Sequence, residues 1–330
     1  MSDSDVEPPS PDPDVDDDED NEHDDEGDAG DLVEFPLTKK LAAKGLSVLA
    51  KTGDGLEHAF VRLQMVDKQI TDISIISCYA CYVHIRYLDL SENCLKDLTP
   101  IHALNFLLTL KADNNLLTTA KLDELPFLRV MSLANNRIET TEGISHPQLH
   151  ALNLNHNQVS EVSGLAGNNP LLDTIELRAN QLTSLKGLTD LPCLRKLCLA
   201  ENSLTTLEGL DELTTLQWVH VRDNKLVSLD GMTSNLAVLQ YLNLRGNVTL
   251  VKTEEISKLQ NLHMLRALVL KGCGVEEIED YRIEVLSYAR RLERLDKDPF
   301  TDDERQEAEE KQAERKAMAA DALGATETEE

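Results

Sequence analysis

The chain has 330 residues and a formal charge of −28, but that charge sits at its ends: residues 1–34 carry 17 acidic and no basic side chains, residues 298–330 carry 12 acidic against 4 basic, and −3 is left for residues 35–297. A nearly neutral body without clustered Lys and Arg argues against a nucleic-acid partner. No apolar run approaches the roughly 18 residues of a membrane span, and the acidic start is the opposite of a signal peptide, so a soluble cytoplasmic protein with six free thiols is expected.

Residues 1–34 hold too few apolar side chains to offset chain entropy and repel one another, which predicts a disordered acidic tail. Residues 35–84 read as an N-terminal cap. Leu41, Leu46 and Leu49 recur at helical spacing behind Thr38, a candidate N-cap, so a helix is predicted over 38–51, ending in a turn at Gly53 and Gly55. Leu63, Met65, Ile70 and Ile73 then form a degenerate repeat with Lys68 in its key polar slot. Cys78-x-x-Cys81 is a single pair without a second pair or histidines at metal spacing, so core packing in the cap is expected rather than zinc.

From Ile85 a period governs the chain to about residue 275. On the frame L-x-x-L-x-L-x-x-N-x-L the asparagine falls at Asn93, Asn115, Asn136, Asn157, Asn180, Asn202, Asn224 and Asn247, followed by Cys273, with gaps of 21 to 26 residues. In each period the L-x-L pair, from Leu88/Leu90 to Leu268/Leu270, predicts a short strand with alternate residues inward. The chain then bends inward, where backbone groups need partners, and an amide that both donates and accepts supplies them. Cys273 is a weak structural substitute. On the far side of the coils from Asn136 to Asn247 comes a glycine followed by an apolar residue: Gly143-Ile144, Gly164-Leu165, Gly187-Leu188, Gly209-Leu210 and Gly231-Met232. About 22 residues leave room for a strand and a turn of 3₁₀ helix. The pattern resembles the leucine-rich repeat and predicts an α/β solenoid whose parallel sheet lines the concave face. Asn247-Val248-Thr249 matches a glycosylation sequon, which a protein that is not secreted leaves unused.

Residues 276–297 supply Val285, Leu286, Leu292 and Leu295 to a C-terminal cap that closes the last coil. In 298–330, Thr301-Asp302-Asp303-Glu304 is a capping box opening a charged, alanine-rich helix to about Leu323, with Glu307 and Lys311 four residues apart, followed by a disordered tail. That helix shows no apolar stripe, so it is expected to project or to bind a partner.

The spacing and the convex Gly-Leu turns resemble the intracellular Sds22-like repeat class. The strings KGLSVLAKTGDGLEHAFVRL, LTLKADNNLL, TEGISHPQLHALNLNHN and LQYLNLRGN narrow the likeness to the family of leucine-rich repeat-containing protein twenty-three, ciliary radial-spoke proteins, over about Pro36 to Lys297. GISHP and KTGDGL lie outside the repeat consensus and do most of the discriminating. The resemblance implies a scaffold subunit of the spoke head in the axoneme of motile cilia and flagella, bound to other spoke and axonemal proteins and needed for motility. The repeat class alone leaves open a phosphatase-regulatory or ribonucleoprotein adaptor.

No serine, cysteine, histidine or carboxylate constellation has the makings of a catalytic site, so no enzyme, cofactor, metal or small-molecule substrate is expected. The residues flanking each L-x-L pair face the concave side, and toward the C-terminal half they become basic and aromatic. Arg178, Lys196, Trp218, His220, Arg222, Tyr241 and Arg245 are therefore the candidate patch for an acidic or amphipathic partner segment, because exposed aromatics beside arginines make binding hot spots. An ordinary solvated sheet face, or occupation by the protein's own acidic N-terminus, are the alternatives.

Overall fold

Thr38 Oγ1 accepts a hydrogen bond from Leu41 N at 3.3 Å, and the residues behind this cap form α1, Lys39–Gly45. The computed structural model describes residues 34–52 and 57–326, with side chains through 318. The predicted acidic tail, apart from Glu34, lies outside the described residues, as do the turn at Gly53 and Gly55 and the last four residues. The helix predicted over 38–51 stops early. From Leu46 the chain becomes β1, Leu46–Lys51, antiparallel to β2, His58–Gln64. Gly45 explains the change: a Cβ there would overlap Met65 Cε and Gln64 O, so α1 and β2 meet only because this residue has none. Within β1, Val48 takes φ 57, a rare conformation for a β-branched residue, and the pairing skips it between Ser47↔Arg62 and Leu49↔Phe60.

After β2 comes the one-turn helix α2, Ile75–Cys78, which with the next turn sends Ile76 and Tyr82 into the core. Cys78 and Cys81 are exposed. This corrects the expectation that they pack inside: Ile76 and Tyr82 already fill the inward positions of this segment.

The repeats follow as β3 (Tyr87–Asp89), β4 (Thr109–Lys111), β5 (Val130–Ser132), β6 (Ala151–Asn153), β7 (Thr174–Glu176), β8 (Lys196–Cys198), β9 (Trp218–His220), β10 (Tyr241–Asn243) and β11 (Ala267–Val269). The inward pairs, Leu88/Leu90 through Leu268/Leu270, are at most 1% exposed. Every strand neighbours the next in sequence, and β2 through β11 pair in parallel. Such an unclosed, sequentially ordered sheet is a solenoid, in which each coil buries its apolar edge only against its neighbours.

A 3₁₀ turn in every coil was expected on the convex side. Among the described residues it occurs only at Ala80–Tyr82 in the cap and at Thr99–Ala103, Leu210–Glu212, Lys258–Asn261 and Gly274–Glu277 in the repeats, because the other coils span this side in turns and extended stretches. The longest period, Asn247 to Cys273, places its extra residues in α3, Thr253–Ser257. Gly231 marks the tight convex bend, with φ 101 and a missing Cβ that would strike Leu207 O of the previous coil.

At the far end α4, Tyr281–Tyr288, buries Val285 and Leu286, and Leu292 and Leu295 complete the apolar lid. β12 (Arg294–Leu295) continues the parallel order, and β13 (Asp298–Pro299) turns back antiparallel to it. Thr301 N donates to Glu304 Oε2 at 2.7 Å and Glu304 N to Thr301 Oγ1 at 3.2 Å, opening α5, Asp302–Thr326. Rather than projecting, α5 packs on α4. Ala308 is 4% exposed, and the buried Glu284 carboxylate accepts from Arg315 at 2.6 Å and pairs with Lys311 at 3.1 Å. Arg282 reaches Glu304 at 2.6 Å, and the Arg315 guanidinium lies 4.6 Å from the Tyr288 ring centre. Docking by paired charge replaces the apolar stripe, and the buried carboxylate is tolerated because two cations meet it. No helix among the described residues is long and apolar enough to cross a membrane.

Candidate protein-binding face

The geometry of the face is set by the column of asparagines beneath it, each 9% exposed or less. Asn136 is representative. Its Nδ2 donates to Ala112 O, Leu133 O and Ala134 O at 3.0 to 3.1 Å, and its Oδ1 accepts from Leu117 N of the preceding coil at 3.0 Å. Successive coils share acceptors, since Leu133 O also receives Asn157 Nδ2 at 2.9 Å. Asn93 is bonded in the same way to the cap, where it accepts from Lys68 N and Ile70 N, while Lys68 itself is exposed. The ladder ends at Cys273, whose Sγ donates to Leu244 O at 3.1 Å and whose thiol is pushed up to about 12 by burial. Asn247 is fully buried with its amide engaged by Val221 O, Leu244 O and Leu226 N, so its sequon offers no free side chain.

Immediately before each asparagine, and before Cys273, the chain bends through a left-handed residue: Glu92, Asn114, Asn135, His156, Ala179, Glu201, Asp223, Gly246 and Gly272. The strands preceding these bends hold the concave side chains in register. Lys196, Trp218 and Tyr241 form one column, and Glu176, Cys198 and His220 the next. Trp218 and Tyr241 stack with ring centres 5.5 Å apart, and His220 lies 4.9 Å from Tyr241. The candidate residues from β9 and β10 thus form one aromatic cluster.

The basic members sit in a different electrostatic setting from the one the columns suggest. Arg178 and Arg222 share the Glu201 carboxylate at 2.8 and 3.4 Å, Arg222 also lies 3.8 Å from Asp223, and Lys196 lies 3.5 Å from Glu176. Three of the four cationic residues of the patch therefore face three carboxylates, and Arg245 is the one without an ion-pair partner among the described residues. Reading the strand columns alone missed Glu201 and Asp223 because they belong to the bend, whose side chains return to the same edge. Partly exposed pairs of this kind contribute about 0–1 kcal/mol each, and their main effect is to orient the guanidinium groups beside the rings. Cys198, between Glu176 and His220, has its thiol pushed up to about 11 by burial, so it is a packing residue and a poor nucleophile. No group of three or more metal-ligating side chains occurs among the described residues.

No family model matches the chain. It is 44% identical to leucine-rich repeat-containing protein 23 of Bos taurus over 300 residues, covering 84% of this chain and 80% of that protein. The protein of the same name from Homo sapiens is 43% identical over 296 residues, covering 83% and 79%. The chain belongs to the leucine-rich repeat-containing protein 23 family. A crystal structure of a TLR13–ssRNA13 complex has a TM-score of 0.54 at 23% identity, covering 76% of this chain and 40% of that one, a likeness of fold alone. Fold and family are those of a protein-binding scaffold.

The string GISHP, which singled out the leucine-rich repeat-containing protein 23 family, has a structural use. His146 is fully buried, with its ring Nδ1 accepting from Leu125 N at 3.2 Å and its backbone N–H donating to Asn169 Oδ1 at 3.0 Å. Burial lowers its pKa to about 4 and so keeps the ring neutral. Asn169, also fully buried, donates to Ile144 O and Leu165 O. Thr141 Oγ1 donates to Ser163 O at 2.7 Å and accepts from Ser163 N at 2.8 Å. These three side chains join three successive coils on the convex side as the asparagine ladder does beneath the sheet. They do not recur coil after coil, so periodicity gave no sign of them.

Proposed function

We propose that the protein is a non-catalytic scaffold subunit of the axonemal radial spoke, in the spoke head of motile cilia and flagella, where it supports motility by holding neighbouring spoke proteins. The observation that carries this reading is the 44% identity across 84% of the chain to a family whose likeness implies a ciliary spoke component. On this reading the protein acts in the cytoplasm and on the axonemal cytoskeleton. It engages other axonemal proteins, without nucleic acid, membrane or small-molecule substrate.

The gripping surface in this proposal is the concave patch Arg178, Lys196, Trp218, His220, Arg222, Tyr241 and Arg245. Trp218 and Tyr241 act as stacked anchors, and the carboxylate-held guanidinium groups supply directed donors. Because the patch is largely self-neutralised, the favoured partner segment is amphipathic, with an apolar anchor for the rings, rather than simply acidic. The spoke assignment is tested by extracting demembranated axonemes with moderate salt: the protein should stay with them, and a wholly soluble, cilia-independent distribution would overturn it. The patch is tested by replacing Trp218 and Arg222 with alanine, which should abolish pull-down of axonemal partners while the melting temperature stays near wild type. Unchanged pull-down would remove the patch from the proposal.

A further inference from the structure

The three residues before β3, β4 and β5 begin with His84, Phe106 and Phe127, and these rings form a ladder along one lateral edge of the sheet. His84 and Phe106 are 6.3 Å apart at 11° between planes, and Phe106 and Phe127 are 6.2 Å apart at 13°. The two phenylalanines of the ladder are open to solvent, Phe106 at 44% and Phe127 at 48% exposure. The core of these coils is filled without the two phenylalanines, by Leu104, Leu107, Leu125 and Leu128, all at most 1% exposed. An exposed, ordered aromatic row beyond a complete core is the feature that marks an interaction surface.

Three cations stand beside the row. Arg86 and Arg129 stand just before β3 and β5, and Lys51 of β1 lines, with His84, Arg86 and Phe106, a small depression where the ladder meets the N-terminal hairpin. None of these three cations has an ion-pair partner among the described residues, in contrast to Arg178, Lys196 and Arg222 of the concave patch. The positions in register with the ladder and with the two arginines over these repeats are His84, Phe106, Phe127, Arg86, Leu108 and Arg129, without a carboxylate. The step between rings, 6.2 to 6.3 Å, matches the rise of about 6 Å over four residues of α-helix.

The geometry points to a second protein-binding surface: the His84–Phe106–Phe127 ladder takes an amphipathic acidic helix of a partner, whose apolar side chains four residues apart rest against successive rings while its carboxylates meet Lys51, Arg86 and Arg129. This surface lies on β3 to β5 and the concave patch on β7 to β10, so the two need not compete, and one molecule joins two neighbours.

The test uses the full chain and two labelled 18-residue helical peptides, each with leucines every three to four residues, one with glutamate and one with lysine at its polar positions, followed by fluorescence anisotropy. The glutamate peptide should bind at least tenfold more tightly than the lysine peptide. Phe106→Ser with Phe127→Ser should weaken it at least tenfold, Arg86→Glu with Arg129→Glu should invert the preference, and Trp218→Ala should leave it unchanged. Equal binding of the two peptides, or a glutamate-peptide affinity that both double variants retain, overturns the proposal. Two other occupants are read from the same proteins. Self-association of the wild type that the Phe106→Ser, Phe127→Ser variant loses would assign the row to a second copy. A tenfold gain in peptide affinity on neutralising Asp16, Asp17, Asp18, Glu19 and Asp20 to Asn or Gln would assign it to the chain's own acidic segment. Either result overturns assignment to a partner.

Discussion

Replacing Asn157 with alanine removes one side chain and unbalances several backbone groups. Ile138 N loses its acceptor, Asn157 Oδ1 at 3.0 Å, in the interior of the coil. Leu133 O and Leu154 O each lose one donor but keep another, from Asn136 and Asn180. An orphaned buried N–H costs about 1–3 kcal/mol, and the thinned carbonyls and the small void add to it, so a loss of about 3 kcal/mol is expected. For a folded body of this size that corresponds to a melting temperature lower by about 6–12 °C. The sharing makes a stronger demand: with Asn136 also replaced, Leu133 O has no side-chain donor left. The double variant should therefore be less stable than the two single losses together, by about 1 kcal/mol. Urea unfolding followed by circular dichroism measures the three variants, and amide exchange at Ile138 reports the bare N–H directly. A single-variant loss below about 0.5 kcal/mol, or strict additivity, would refute the shared-acceptor account of the ladder.

His146 is buried neutral with its pKa lowered to about 4 against an unfolded value near 6.5, so its contribution is complete above pH 6.5 and is lost as pH falls toward 4. Relative to a His146→Gln variant, the wild type should lose about 3 kcal/mol between pH 7.5 and pH 4 in urea titrations; parallel pH curves would remove the histidine as the cause. In native protein treated with iodoacetamide, the exposed Cys78 and Cys81 should alkylate first, and Cys273 and Cys198, with thiols pushed up to about 12 and about 11, last. Peptide mass spectrometry gives the order, and early labelling of Cys273 would contradict its place at the end of the ladder. Replacing Glu284 with alanine should release α5, seen as lost amide protection through residues 302–318 with the repeats still protected; unchanged protection would mean that the Arg315 and Lys311 pairs do not hold the helix.

The repeats were legible because one requirement recurs: every inward bend needs an amide, and eight asparagines in register announce both the bends and the strands before them. Singular features had no such redundancy. Leu46 and Leu49 suited a helix as well as a strand, and only Gly45, an unfavourable residue inside a helix, hinted at the break that its close approach to β2 produces. The docking of α5 was hidden because its contacts are ionic, and Glu284 and Arg315 are too far apart in sequence to be read as partners. At the concave face the aromatic cluster followed from the strand columns. The neutralising Glu201 did not, since it lies on a bend residue rather than a strand.

The two outermost strands have a bearing on how this sheet behaves in a crowded assembly. A row of unpaired backbone groups is an invitation to any extended chain that passes. Val48 twists the outer margin of β1 out of a regular ladder, and β13 is two residues long with Pro299, which has no N–H to offer, as one of them. A stack built by adding coils one after another is thereby given a first and a last member. The molecule can be a part of a larger machine without growing into a fibre of its own kind.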